Sequence, residues 1–535
     1  MIGLSIPRHK WTLAAAALML LSIASAPGQQ DSRQARDQRI LQIQKLISSS
    51  ELSDADKLLV KFSAEYPDDA GFENLRGIVA AREGDMALAE HSFQKAIRES
   101  PGFSAAYLNL GRLYQENSGT DAEQRQRALR VYGQLLKFNA ENAEARYQSA
   151  LLLMQQGAYR RSLDEIAPMS AGTKSAPQVL SLTAGDNAML GYVEQANKAV
   201  SRWVAQPQLF EPDVQQALPS LAGGKRYDLI IKLLERLQNE GSMSPELLNS
   251  LGVAYEETGH LKKARAVFES VFAQSGSSTV PLIELATVAN KQLDYKGALG
   301  YLAHARVLEP KNAAIDYSFG VDCLYLGLLA EAQKAFSEAV ALAPSDASCN
   351  YAMGITTSFM HDPNEGVPYL EKYVILRPTD PNGKLAVGTT LFRAKDYDSA
   401  ISWLSKAAAN SQTPLAAHYY LGRLANRQRR PDDAIVEIQK VLKVNPQNVD
   451  ALAELGQSYL LLKDYSKAEQ ELQHALALEP DNYTANFNLL IVYMQEKDPR
   501  RIAQARRVKQ IQNLEATKKQ EYLRVLEIRP INSAE

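Results

Sequence analysis

The chain of 535 residues carries 59 basic against 61 acidic side chains, a formal net charge of −2, which excludes a general polyanion binder and leaves local patches open. Hydrophobic residues make up 45% and charged residues 22%, so a sizeable core can form and the composition of a disordered chain is excluded. A chain this long usually means several domains, yet an array of repeats can be one long body whose units touch only their neighbours.

In the N-terminal segment, Arg8, His9 and Lys10 precede an apolar run from Trp11 to Leu21 and then the small residues of Ser22 to Ala26. That order predicts a secretory signal peptide over 1–26. The run is shorter than the roughly 20 residues a bilayer span needs, so an N-terminal membrane anchor is the lesser alternative. The mature chain is therefore expected to be exported, periplasmic or secreted. Residues 27–38 are polar and read as a linker.

From 39 to 156 helical hairpins repeat. Ala55, Phe62 and Pro67 close a weak unit, Gly77, Gly84, Ala89, Phe93, Ala96 and Pro101 mark a clear one, and Gly111, Tyr114, Ala128 and Tyr132 mark a third with a short insertion at Asn117–Arg125. Over 157–244 the pattern blurs, interrupted by Pro168, Pro177, Pro207, Pro212, Pro219 and Gly223-Gly224; this stretch is either degenerate repeats or a hinge. Regularity returns over 245–482. Its reference unit is Ala313 to Pro344, with Gly320 where two helices cross, Gly327 in the turn, and Ala332, Phe336 and Ala339 at i, i+4 and i+7 on the inward face of the second helix. Phe336 is expected to fill space against the next unit, and Pro344 to stop the helix. Steps of 34 residues reach the same chemistry at Gly354 and Gly388, Ala298 and Ala400, Pro310 and Pro378. Seven consecutive crossing positions are small: Gly252, Ala286, Gly320, Gly354, Gly388, Gly422 and Gly456. Residues 483–535 read as capping helices, with a basic run of Arg500, Arg501, Arg506, Arg507 and Lys509. That run is a solvated face or a point of peripheral membrane contact.

This pattern resembles the tetratricopeptide repeat (TPR) family. The resemblance implies an all-α, right-handed superhelical solenoid of about 13–14 helix–turn–helix repeats, with the first helices lining a concave face.

Chemistry-bearing motifs are missing from the sequence. His9, His91, His260, His304, His361, His418 and His474 are scattered outside any H-E-x-x-H or Cys/His cluster, and no phosphate-binding loop or G-x-S-x-G elbow occurs. No enzymatic activity, cofactor or metal is expected. Cys323 and Cys349 fall at different heights of adjacent first helices, offset by about 12 Å against the roughly 7 Å limit for a disulfide, so both are expected as free thiols, Cys323 buried.

A binding signal remains on the first helices. Tyr317, Tyr351, Leu385 and Tyr419 come three residues before a crossing glycine, Tyr325, Phe359, Arg393 and Arg427 five after, with Phe392 and Arg423 beside them. Aromatic residues and arginine bury large areas while offering hydrogen bonds, the profile of binding hot spots. One reading is a groove for a protein or peptide, formed by Tyr317, Tyr325, Tyr351, Phe359, Phe392, Arg393, Tyr419, Arg423 and Arg427, aromatic at one end and basic at the other. The other is lateral packing between neighbouring first helices. Some members of the family read peptides with recurring asparagines or a Lys/Asn/Arg clamp, but here only Asn109 and Asn488 keep the asparagine position, and the units between carry mostly Ser250, Glu284, Ser318, Ala352, Ala386, Tyr420 or Glu454. The function expected is a non-catalytic protein–protein scaffold of the cell envelope. Alternatives are a carbohydrate- or envelope-polymer-binding module and a regulatory subunit of an envelope enzyme complex. Nucleic acid is not an expected partner for an exported chain of balanced charge.

Overall fold

A computed structural model describes residues 27–518 apart from 120, 242, 361 and 410–414. The predicted signal segment and residues 519–535 lie outside the described residues. Every helix and turn described below is α-helical hairpin architecture, with no strand among the described residues. The chain divides into two compact units, Met1–Gly259 and His260–Glu535.

In the first unit the hairpins are α1 (Pro27–Ser48) with α2 (Leu52–Glu65), α3 (Ala70–Glu83) with α4 (Met86–Glu99), and α5 (Ser104–Glu116) with α6 (Ala122–Phe138). They continue as α7 (Ala143–Gln155) with α8 (Tyr159–Ile166), α9 (Pro177–Met189) with α10 (Val193–Val204), and α11 (Glu211–Gly223) with α12 (Tyr227–Gln238), followed by α13 (Pro245–Glu257). Residues 157–244 thus form paired helices, with a single short 3₁₀ turn at Thr173–Ser175 ahead of α9.

The second unit opens with α14 (Leu261–Ser275). Its hairpins are α15 (Val280–Lys291) with α16 (Tyr295–Leu308), α17 (Ala313–Tyr325) with α18 (Leu329–Leu342), and α19 (Ala347–Met360) with α20 (Pro363–Leu376). Then come α21 (Pro381–Arg393) with α22 (Tyr397–Ala408), α23 (Ala416–Arg427) with α24 (Pro431–Val444), α25 (Val449–Leu461) with α26 (Tyr465–Leu478), and α27 (Tyr483–Gln495) with α28 (Arg501–Lys518).

Most hairpins are made by a three-residue connection, as over 326–328 between α17 and α18. After α17, Gly327 takes φ +75°, its N–H donates to Leu324 O at 3.0 Å and the N–H of Leu328 to Cys323 O at 2.8 Å. These two bonds satisfy carbonyls the helix end would otherwise leave orphaned. The residue after the left-handed position often caps the next helix. Asp294, Asp396 and Asp464 accept from the backbone N–H of Gly297, Ser399 and Lys467, an arrangement that stabilises a helix start by about 1 kcal/mol. Second helices end two residues before a proline at Pro310, Pro344, Pro378, Pro446 and Pro480. The carbonyl of that proline is satisfied by a side chain six residues on, from Asn350 to Pro344 O and from Asn486 to Pro480 O, both at 3.0 Å.

Packing within a hairpin follows from the crossing glycine. Phe336 is fully buried in a cluster that includes Cys349, Ala352 and Met353 of the next unit, as the sequence pattern suggested, and it also packs within its own hairpin. Its ring covers Gly320 of its own hairpin so closely that a Cβ there would lie 2.6 Å from Cε1. A flat ring can lie on a helix only where no side chain intervenes, which is why the glycine and the aromatic occur together. Phe93 covers Gly77 and Tyr132 covers Gly111 in the same way, and Leu370, Leu404, Ile438 and Leu472 do so over Gly354, Gly388, Gly422 and Gly456.

Candidate functional site

Within the second unit, successive first helices lie directly beside one another: α19 with α21, α21 with α23, and α23 with α25. Side chains from the C-terminal half of each first helix therefore reach the next, and this layer gathers most of the predicted residues.

Three of them are taken up by packing. Tyr317 is 3% exposed; its ring lies 5.7 Å from that of Phe336, and burial raises its hydroxyl pKa. Tyr325 stacks flat on Tyr295 at 4.4 Å, and Tyr351 tilts against Tyr373 at 5.0 Å. The other six form one cluster across α19, α21 and α23. Arg393 lies over Phe359, its guanidinium carbon 4.0 Å from the ring centroid. Phe392 is buried and forms a floor on which Arg423 and Arg427 both rest, at 5.1 and 5.3 Å. Arg423 also lies 5.6 Å from the Tyr419 centroid. Phe359 and Arg427 are exposed.

Sequence reasoning missed the residues that anchor this cluster. Tyr420 meets Phe392 edge-on at 5.5 Å, and Arg423 lies over it as well. Glu454 of α25, 4% exposed, accepts from Arg423 Nε at 3.0 Å and from Asn426 Nδ2 at 3.1 Å. Asn426 Oδ1 in turn accepts from Ser458 Oγ at 2.8 Å. Burial pushes the Glu454 carboxyl up, and Arg423 and Asn426 oppose that by stabilising the charged form. The available signal was weak: an acidic residue at a repeat position that holds Ser318, Ala352 or Ala386 in other units but also Glu284.

Cys323 and Cys349 are free and buried, and burial pushes both thiols up to about 12, which keeps them protonated and unreactive. Among the described residues no group of three His, Cys, Asp or Glu side chains could hold a metal ion, and no helix is long and apolar enough to cross a membrane. In the basic C-terminal segment, Arg500 pairs with Glu469 at 2.6 Å and Asp498 at 2.7 Å, and Arg507 pairs with Asp481. Arg501 and Arg506 are exposed.

Two family models, each described as a tetratricopeptide repeat, match this chain, one over residues 425–485 and the other over 42–102, 74–124 and 388–441. No curated protein matches it. Among solved structures it is similar to PilF of Pseudomonas aeruginosa, at 20% identity over 39% of this chain and 94% of that one, with a TM-score of 0.34. It is similar to the C-terminal part of a TPR repeat-containing protein from Cytophaga hutchinsonii at 19% identity, 45% and 99% coverage and a TM-score of 0.38. The Cut9–Hcn1 hetero-tetramer of APC/C gives 14% identity, 84% and 95% coverage and a TM-score of 0.36. With family matches in both compact units, and a small residue under a large one in hairpin after hairpin, this chain belongs to the tetratricopeptide-repeat proteins.

Proposed function

We propose that the protein is a non-catalytic scaffold of the cell envelope that holds a protein or peptide partner along the first-helix face of its second unit. The observation that carries this reading is the cluster of Phe359, Phe392, Arg393, Tyr419, Arg423 and Arg427, which sets aromatic area and guanidinium groups side by side on adjacent helices. Such surfaces combine apolar burial with directional hydrogen bonding. The envelope assignment rests on the signal-like order of residues 1–26. A carbohydrate site is the weaker reading, because sugars stack on open aromatic faces and here a guanidinium already covers a face of both Phe359 and Phe392.

The test is capture from envelope extract with the mature chain and with a Phe359→Ala/Arg427→Ala variant. Both residues are exposed, so the variant is expected to keep its helical content by circular dichroism. Partners held by the wild-type chain should be lost from the variant. An unchanged partner set in equal yield would remove this face from the function.

A further inference from the structure

Arginines stacked on aromatic rings recur in this protein, and several have their charge met by carboxylates. Arg306, 4.5 Å from the Phe319 centroid, donates to both Asp316 and Glu338. Arg265, over Tyr301 at 5.9 Å, faces Glu269 at 3.5 Å. Arg500, over Tyr493 at 4.2 Å, is held by Glu469 and Asp498. At Arg306 and Arg500 the ring lies against the guanidinium and the acids take its N–H groups, while Arg265 also donates to the Tyr301 hydroxyl at 3.2 Å.

Arg393 and Arg427 are built differently. Arg393 stacks on Phe359 and donates to Thr390 Oγ1 at 3.3 Å, and Arg427 stacks on Phe392. Among the described residues no carboxylate pairs with either. The nearby Glu454 is bonded by Arg423 and Asn426, and Arg427 acts on it only through space. Burial lowers the pKa of Arg393, the mark of a cation partly removed from water without a compensating anion. A guanidinium in that position gains from any carboxylate that arrives.

Spacing narrows what arrives. Arg393 and Arg427 stand 34 residues apart in sequence, the last residues of α21 and α23, two first helices in direct contact. Packed helix axes lie about 8–10 Å apart, and an extended peptide of polyproline II type has three residues per turn at about 3.1 Å each, so carboxylates three residues apart point to one face about 9 Å from each other and match the two positions. Exposed Phe359 supplies an apolar wall beside the first of them.

We propose that Arg393 and Arg427 form a two-point anion site that selects an extended acidic peptide segment, its carboxylates about three residues apart and its apolar side chains against Phe359. This rests on the reading of the first-helix face as a peptide groove.

The test is fluorescence anisotropy on the full mature chain, with a labelled peptide of roughly ten residues holding two glutamates three apart among leucines, and its glutamine counterpart. The glutamate peptide should bind at least about tenfold more tightly, a preference that fades as salt rises from about 0.05 to about 0.5 M. Arg393→Gln and Arg427→Gln should each weaken the glutamate peptide by about tenfold and leave the glutamine peptide unchanged. Arg427 is exposed, so its variant keeps the test valid if Arg393→Gln fails to fold. Equal affinity for the two peptides would overturn the anion site while leaving the groove. Binding of neither would also overturn it, and a pool of neutral peptides run alongside shows whether the groove falls too. Binding to phosphatidylserine vesicles that both variants abolish, without competition from the glutamate peptide, would assign the patch to lipid and overturn the proposal.

Discussion

Replacing Gly320 by alanine tests the contact on which a hairpin depends. A Cβ there would lie 2.6 Å from Phe336 Cε1, 2.8 Å from Cδ1 and 2.9 Å from Cζ, whereas carbon atoms rest at about 3.5–4.0 Å, so the ring would have to withdraw by roughly 1 Å. Phe336 is fully buried and already bears on Tyr317, which leaves it little space for retreat. Overpacking of this kind costs about 1–3 kcal/mol, and the better helix propensity of alanine offsets about 1 kcal/mol of that. Gly320→Ala is therefore expected to destabilise by up to about 2 kcal/mol, and Gly320→Leu by more. In a Phe336→Ala background the clash is gone, and the same Gly320→Ala change should stabilise by up to about 1 kcal/mol. The double-mutant cycle thus returns a coupling with a change of sign. Hydrogen exchange of the α17 and α18 amides is the suitable assay, because repeat arrays open in parts and a global melting curve averages over them. If Gly320→Ala had the same effect in both backgrounds, the ring-on-glycine account of these hairpins would be wrong.

Two further predictions concern the turn and a buried acid. Leu293, 72% exposed at φ +60°, occupies the left-handed position that Gly327 fills in the next hairpin. That conformation costs a residue with a Cβ about 1–2 kcal/mol, and the greater entropy of unfolded glycine cancels part of the gain, so Leu293→Gly should stabilise by up to about 1 kcal/mol in urea titration. No gain would mean that the Leu293 side chain makes compensating contacts. Asp322 is 1% exposed. Burial pushes its pKa from 3.8 to about 7, while Asn290 favours the charged form. A folded pKa above the unfolded one means this contribution is fully present below about pH 4 and is lost as pH rises through about 7. The melting temperature of Asp322→Asn relative to the parent should therefore climb between about pH 4 and pH 8. A difference that stays flat across that range would show that Asp322 does not titrate with folding.

The blurred stretch shows how much of the repeat could be seen from residue types. Crossing positions lose their glycine there, and Leu218 stands where Gly320 stands later. The turn nevertheless keeps its phase. Left-handed residues fall at Gly157, Gly191, Lys225, Gly259, Leu293 and Gly327, and again at Lys395, Arg429, Lys463 and Lys497, all in steps of 34 or 68. The conformation persists while the letter changes, because a lysine or leucine can be held at positive φ when the bonds across the turn outweigh the strain. Reading glycines alone sees only part of that series. At the candidate site, residue type placed aromatic and arginine side chains on first helices correctly. It did not separate Tyr317, whose ring is buried against Phe336, from Phe359, which is exposed but has one ring face covered by Arg393.

Periodicity by itself determined the helix pairs of the regular stretches, though not α1, which runs through the polar residues 27–38 read as a linker, because those pairs follow from local rules: apolar spacing along a helix, a tight connection, a proline that cannot continue the helix. What only the tertiary structure decided is which charges are spent on the protein itself. Arg423 and Arg427 lie one turn apart on α23 and share the ring of Phe392, yet Glu454 of α25 pairs with the first and not the second. Ion pairing depends on a few ångströms between side chains from different repeats, a distance set by how hairpins stack rather than by any pattern within one of them.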